Sequence, residues 1–195
     1  RDYHSYFRSS HFYHIYNRAI GDESLFKEGK SYQYFRNKWD KYILAHAKIW
    51  AYVLMPNHFH FLVQIKDKNS FPDKAEVKAE DQFKRLFSSY TLAFNKMYDR
   101  TGSLFQKRFK RVEVDSKIIF KPDTLHNPIH HNFVSEYLKW EYSSYQSILS
   151  SGSTKVYRKD ILNLFSNREK FRTYHNQMKI TIRFRILFQN KENKK

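Results

Sequence analysis

The chain contains no cysteine, and its 195 residues include only four glycines and four prolines. Without cysteine it can form neither disulfide bonds nor zinc–thiolate sites, which is typical of the reducing cytoplasm, where we expect the protein. No apolar run reaches the ~18 residues that a membrane-spanning helix needs, and no signal-peptide pattern opens the chain. We therefore predict no membrane partner.

Acidic residues are also scarce, since 19 of them face 36 lysines and arginines, giving a formal net charge of +17. This excess is larger than the solubility of a small domain requires, and it favours a polyanionic partner, most often nucleic acid. The chain is 41% hydrophobic and 18% aromatic, which is enough to bury a core and to offer rings on which bases can stack. The alternative is a soluble basic protein with no such partner.

Hydrophobic spacing predicts a mixed chain of strands and helices. The predicted strands are Phe12–Arg18, Lys48–Leu54, His58–Ile65 and Phe105–Asp115, and the predicted helices are Ser31–His46 and Asp81–Arg100. A Ser/Gly-containing linker at Ser150–Thr154 precedes a charged helical segment, Tyr157–Gln177. We therefore predict a main domain over residues 1–150 and a helical C-terminal appendage with a basic tail over residues 151–195.

Two histidines stand out in the third predicted strand, within the stretch MPNHFHFLV at 55–63. Side chains alternate between the faces of a strand, so His58 and His60 share one face while Phe59 and Phe61 lie on the other. Two imidazoles that project together suit a shared divalent cation. The alternative is a pair of surface or hydrogen-bonded histidines.

This stretch resembles the His-hydrophobic-His metal motif of the HUH nucleases, in the form found in single-tyrosine transposases of the REP-associated and insertion-sequence type. The resemblance covers roughly residues 10 to 150 and leaves out the C-terminal segment. Four other blocks resemble the family in the same order: Tyr13–Phe26 (YHIYNRAIGDESLF), Gly102–Ser116 (GSLFQKRFKRVEVDS), His126–Val134 (HNPIHHNFV) and Trp140–Ser147 (WEYSSYQS).

The resemblance implies an α+β fold of ferredoxin-like type, an antiparallel sheet with helices on one face. It implies a transposase that breaks and rejoins single-stranded DNA with hairpin or palindromic ends, through a helix-borne tyrosine and a 5′-phosphotyrosine link. It also implies a divalent ion, Mg²⁺ or Mn²⁺, held by His58, His60 and the Asn of an Asn-Pro pair, here Asn127. Read locally, Asn127 instead caps a helix end or makes a turn. Many relatives dimerise, so a homodimer is possible.

The chain departs from the family at the nucleophile, because the position four before Asn127 is Asp123 and no tyrosine lies between Tyr98 and Tyr137. Three explanations compete. The protein is a non-catalytic relative that binds nucleic acid, or another tyrosine attacks, with Tyr90, Tyr142 and Tyr145 as the candidates. The third is that a triplet, typically Tyr-Ile-His in relatives, is missing between Leu125 and His126, which places the expected tyrosine near Asp123 to His126.

A basic cluster with an aromatic residue follows the second helix and is a candidate DNA-binding surface, since cations meet phosphates and a ring can stack on an unpaired base. The alternative is a solvated edge strand with Phe109 in the core. A ribosome-associated basic protein is a weaker third function, because that role needs no paired histidines. The DNA-binding candidates are Lys107, Arg108, Phe109, Lys110 and Arg111, with Arg18 added from the first strand.

Overall fold

The computed structural model describes residues 6–67, 79–114 and 140–177. Its first six elements follow the order strand, helix, strand, strand, helix, strand. They are β1 (Phe12–Arg18), α1 (Gly29–Ile43), β2 (Ala47–Met55), β3 (His58–Ile65), α2 (Ala79–Met97) and β4 (Lys110–Val114). Within the described residues 140–177 there are three shorter helical segments: α3 (Tyr145–Leu149), α4 (Arg158–Leu164) and α5 (168–177).

The four strands form one antiparallel sheet in the order β2-β3-β1-β4, so β3 and β1 are central. The turn at Pro56–Asn57 joins β2 and β3 as a hairpin, as the sequence predicts. The register pairs Tyr16 of β1 with His60 of β3 and with Lys110 of β4. Because directly paired residues project to the same side of a sheet, these three side chains lie on one face.

The other face of the sheet is covered by α1 and α2, which confirms the predicted α+β architecture. The ring of Trp39 on α1 stacks on Phe61 with centroids 3.6 Å apart. Phe59 contacts Phe35 of α1 and Phe87 of α2 at centroid distances of 5.4 Å and 5.5 Å. Burying a large apolar side chain contributes roughly 1.5–3 kcal/mol, so this aromatic layer fixes which face of the sheet stays open.

Element bounds agree with the sequence prediction for β1 and β3 and differ most for β4. The predicted strand begins at Phe105, but within the described residues Phe105 makes an isolated bridge to Ala19, and residues 106–109 form a loop. The reason is the backbone of Arg108, whose φ of 55° is left-handed and interrupts an extended chain. The second helix begins at Ala79 within the described residues.

The outer edge of β2 is covered by the segment that follows residue 139. Ser143 forms a bridge with Val53, and the Trp140 indole N–H donates to the Leu54 carbonyl at 2.8 Å. Further along, Val156 bridges Ile49, so β2 is not left as an unpaired edge. The predicted helix at 157–177 is two helices separated at 165–167, and its residues Ile161 and Phe171 belong to the hydrophobic core.

No helix among the described residues combines the length and the apolar character that crossing a membrane requires.

Candidate metal and nucleic-acid site

His58 and His60 lie on the open face of the sheet, on the central strand β3, as the alternation predicts. His58 is buried and His60 is half-buried, and their rings are perpendicular with centroids 5.3 Å apart. Their cross-strand partners on β1 are Arg18 and Tyr16. The two imidazoles therefore share one small region of the polar face.

The ring of His60 is held by a histidine of the neighbouring strand. Nε2 of His14 and Nδ1 of His60 lie 2.8 Å apart. The planes of the two rings differ by 22° and their centroids are 5.0 Å apart. This separation is the one expected for two imidazoles that meet edge to edge through a hydrogen bond between ring nitrogens. One ring N–H therefore donates a hydrogen bond to the other ring nitrogen. A cation on the line between them is excluded, because nitrogen–metal bonds need about 2.1 Å each.

The ring of His58 is held from the turn that precedes β3. Its Nδ1 lies 2.7 Å from Oδ1 of Asn57. The backbone of Asn57 is fixed in turn, because its carbonyl accepts the Ala19 N–H at 2.8 Å. In both histidines Nδ1 is therefore used in a contact with a neighbouring side chain, and Nε2 is the other ring nitrogen.

A cavity of about 310 Å³ lies over this part of the sheet. Two permanent cations line it, Arg18 at the end of β1 and Lys110 at the start of β4, and no acidic residue does so among the described residues. The Lys110 ammonium lies 5.6 Å from the centre of the Tyr16 ring. The cavity is lined by Tyr16, Asn17, Arg18, Asn57, His58, His60, Gln106 and Lys110.

The donor set fits a divalent transition ion in part. Two imidazole nitrogens suit Mn²⁺ better than Mg²⁺, which prefers oxygen ligands. Within residues 6–67, 79–114 and 140–177, no third histidine, cysteine or acid joins them in a group that could hold a metal. The predicted third ligand, Asn127, lies outside the described residues, as does the Asp123–His126 stretch where the tyrosine is expected.

The structure separates the six predicted DNA-binding residues into three groups. Arg18 and Lys110 line the cavity beside the histidines. Lys107 and Arg108 are exposed in the loop before β4. Phe109 and Arg111 lie on the helix-covered side, only 6% exposed each, so the aromatic residue is in the core and cannot stack on a base.

The three tyrosines that are alternative nucleophiles all make packing contacts in the described part of the chain. Tyr90 is 1% exposed and its hydroxyl donates to the Leu25 carbonyl at 2.6 Å. Burial raises the pKa of Tyr90 well above its usual value, which disfavours the phenolate that attacks phosphorus. Tyr142 stacks on Tyr32 with centroids 3.6 Å apart, and Tyr145 is buried against Phe171.

We expect Tyr90→Phe to reduce the free energy of unfolding by about 1–2 kcal/mol, because the Leu25 carbonyl loses its donor inside the core. Any DNA cleavage should continue at the wild-type rate. Chemical denaturation and a cleavage assay measure the two quantities. Loss of cleavage by a variant that is still folded would contradict the structural assignment and restore Tyr90 as a nucleophile.

His14, Tyr16 and Asn57 belong to this site although the sequence pattern does not predict them there. The signal for the first two was present, since alternation in FYHIYNR puts them on the same face of β1 as Arg18. What the sequence did not give was the strand order, which sets β1 directly beside β3. Asn57 follows Pro56, and this pair predicts only a turn.

Comparison with known proteins supports the fold. No known family profile matches the chain, and no curated protein sequence does either. Among solved structures, the chain is similar to a REP-associated tyrosine transposase bound to a REP hairpin, with a TM-score of 0.58 and 16% sequence identity. The match covers 83% of this chain and 93% of the other. The chain therefore has the fold of that transposase, and the resemblance predicted from the motifs is confirmed at the level of the fold.

Proposed function

We propose that the protein is a metal-dependent transposase that cleaves and rejoins single-stranded DNA with hairpin or palindromic ends. One observation carries the proposal. His58 and His60 share a cavity with Arg18 and Lys110 on the open face of a transposase-like sheet. Paired imidazoles beside cationic side chains suit a divalent ion and a phosphodiester. The hairpin ligand of the structural neighbour supports a nucleic-acid partner of this kind.

The residues of the cavity have separate roles in this proposal. His58, His60 and Asn127 hold the ion, which polarises the phosphate when bound. Arg18, on the central strand β1, and Lys110, on the adjacent strand β4, bind the backbone. The described lining of the cavity contains Arg18 and Lys110 and no acidic side chain. A divalent cation should therefore bind there more tightly together with the negative phosphate than it does alone.

In the covalent step, a tyrosine hydroxyl oxygen bonds to phosphorus and the bond from phosphorus to the 3′-oxygen breaks. The strand leaves with a 3′-hydroxyl, which takes up the proton, and the 5′-phosphate stays on the tyrosine. The link conserves the phosphodiester energy, so rejoining needs no nucleotide cofactor. This tyrosine is the one expected near Asp123 to His126, which requires that the protein carry the triplet that relatives have before the Asn-Pro pair, since the printed sequence has no tyrosine there.

The second candidate is a nucleic-acid-binding relative that does not cleave. It is favoured by the absence of tyrosine between Tyr98 and Tyr137, together with the burial of Tyr90 and Tyr145. Aspartate at position 123 is not a simple replacement, since an acyl phosphate is far more labile than an aryl phosphate ester.

Incubation of the protein with single-stranded hairpin DNA and Mn²⁺ separates the two candidates. A covalent protein–DNA adduct on a denaturing gel supports the transposase, and tryptic mapping of the adduct identifies the tyrosine. Retention of the hairpin without any adduct supports the binding relative. The intact mass of the protein, measured on the same sample, determines whether residues are present between Leu125 and His126.

We expect Arg18→Ala and Lys110→Ala each to weaken hairpin binding, because each removes one cation from the cavity. For a single strand, each lost phosphate contact lowers the slope of log affinity against log salt by about 0.7. Fluorescence anisotropy across a salt series measures the slope.

Lys41→Ala is the matched control, since Lys41 is exposed near the end of α1, on the helix-covered side of the sheet. This variant changes the net charge by the same amount as the other two. Equal slopes for all three variants would place the nucleic-acid surface elsewhere.

A further inference from the structure

We propose that Asn57 and His14 are positioning residues that hold His58 and His60 in the same tautomer, with Nδ1 protonated and Nε2 carrying the lone pair. The inference deepens the proposed function, since it assigns the nitrogen that each histidine offers to a cation. It rests on two side-chain contacts made by residues outside the His-Phe-His motif itself.

The assignment for His58 follows from the chemistry of the contact. Nδ1 of His58 lies 2.7 Å from Oδ1 of Asn57, and a carboxamide oxygen only accepts hydrogen bonds. The proton is therefore on Nδ1 of the imidazole. A neutral imidazole carries one ring proton, so Nε2 has the lone pair.

The assignment for His60 follows from its contact with His14. The two rings share one proton between Nδ1 of His60 and Nε2 of His14. If His60 donates, its Nε2 has the lone pair, as in His58. If His14 donates, the proton of neutral His60 sits on Nε2, and His60 presents no lone pair to the cavity. Only the first arrangement lets both histidines of the pair ligate one ion, and ligating histidines commonly donate their second N–H to a neighbour.

The two positioning residues are held from different parts of the fold. His14 lies on β1, where it is paired with Leu62 of β3 and Val112 of β4. Asn57 lies in the β2–β3 turn and is bonded through its carbonyl to Ala19. The orientation of each imidazole is therefore set by backbone that is itself fixed in or beside the sheet, before any ion binds.

Nuclear magnetic resonance of protein labelled with ¹⁵N in the histidine rings tests the inference without metal or DNA. At about pH 8, above the usual histidine pKa, unprotonated ring nitrogens resonate far downfield of protonated ones. His58→Ala and His60→Ala variants assign the signals. We expect both histidines in the wild-type protein to be protonated on Nδ1. A wild-type His60 that is protonated on Nε2 would overturn the assignment.

Paired variants separate positioning from folding. We expect Asn57→Ala to give a mixture of tautomers at His58 only, and His14→Leu to do so at His60 only. Asn57→Asp and His14→Gln, which keep an acceptor oxygen in reach, should preserve the wild-type pattern. Unchanged tautomers in Asn57→Ala and His14→Leu would show that these side chains do not position the rings.

Titration with Mn²⁺, followed by electron paramagnetic resonance, tests whether the Nε2 lone pairs of His58 and His60 bind a metal ion. We expect Asn57→Ala and His14→Leu to weaken Mn²⁺ binding about 10–100-fold relative to wild type. If the wild-type protein has the predicted tautomers but binds no Mn²⁺, the proposed metal-dependent function is contradicted. The tautomer assignment then still holds. Hyperfine coupling of the ion to directly coordinated ¹⁵N atoms of three histidine rings, rather than two, would make His14 a ligand and overturn its positioning role.

Discussion

His58→Ala and His60→Ala should each lower the rate of Mn²⁺-dependent DNA cleavage by about 10³-fold, the effect of losing several kcal/mol of metal-assisted stabilisation. Each change removes one imidazole from the cavity beside Arg18 and Lys110. Hairpin binding measured with a chelator present should change little, because the cations that bind the backbone remain. Single-turnover cleavage and anisotropy measure the two quantities on the same preparations.

His11→Ala is the control for this prediction. His11 precedes β1, its side chain is 40% exposed, and it lies 3.7 Å from Glu113 rather than in the cavity. It should cleave and bind like the wild-type protein. If His58→Ala and His60→Ala lose hairpin binding in the presence of chelator as much as they lose cleavage, the two histidines are structural. The proposed metal site would then be wrong.

Arg111→Ala should lower the free energy of unfolding by about 2–3 kcal/mol, because it leaves the Glu80 carboxylate without its nearest buried cation. The Arg111 guanidinium lies 3.2 Å from Glu80, and its side chain is only 8% exposed. It also packs over the rings of Phe7 and Phe109 at 5.1 Å and 5.3 Å. Because Glu80 is 31% exposed, water offsets part of the loss. A thermal melt should show a decrease in Tm of about 5–10 °C.

Lys110→Ala is the matched comparison, since the two cations are neighbours on β4 and project to opposite faces. Lys110 is exposed and lines the cavity, so its removal should cost less than about 0.5 kcal/mol of stability while weakening DNA binding. Arg111→Ala should bind the hairpin normally once the folded fraction is accounted for. A reversal of these two patterns would mean that the face assignment of β4 is wrong.

The sheet was predictable from local pattern because its strands have strong periodic signals. The bounds of β1 and β3 agree with the prediction to the residue, and the His58–His60 face follows from alternation alone. The helices were located by their apolar spacing, with ends that differ by a few residues. Resemblance to known motifs supplied the fold type, which the structural comparison bears out.

The rest depended on tertiary pairing, which short-range patterns do not encode. The basic run KRFKR reads as one surface, yet a left-handed residue at Arg108 and the alternation of β4 send Lys110 and Arg111 to opposite sides. His14 enters the site only because β1 lies next to β3. Asn57 is a turn residue by sequence and a hydrogen-bond acceptor for His58 by geometry.

The central position of β1 limits how this site can change during evolution. His14, Tyr16 and Arg18 lie on the open face because side chains alternate along β1, and Tyr13 and Ile15, on the helix-covered face, are fully buried. Insertion or deletion of a single residue within β1 would exchange the two sets, burying polar groups and exposing core. Descendants of this chain should therefore vary the site by replacing individual side chains, while the length of the strand stays constant.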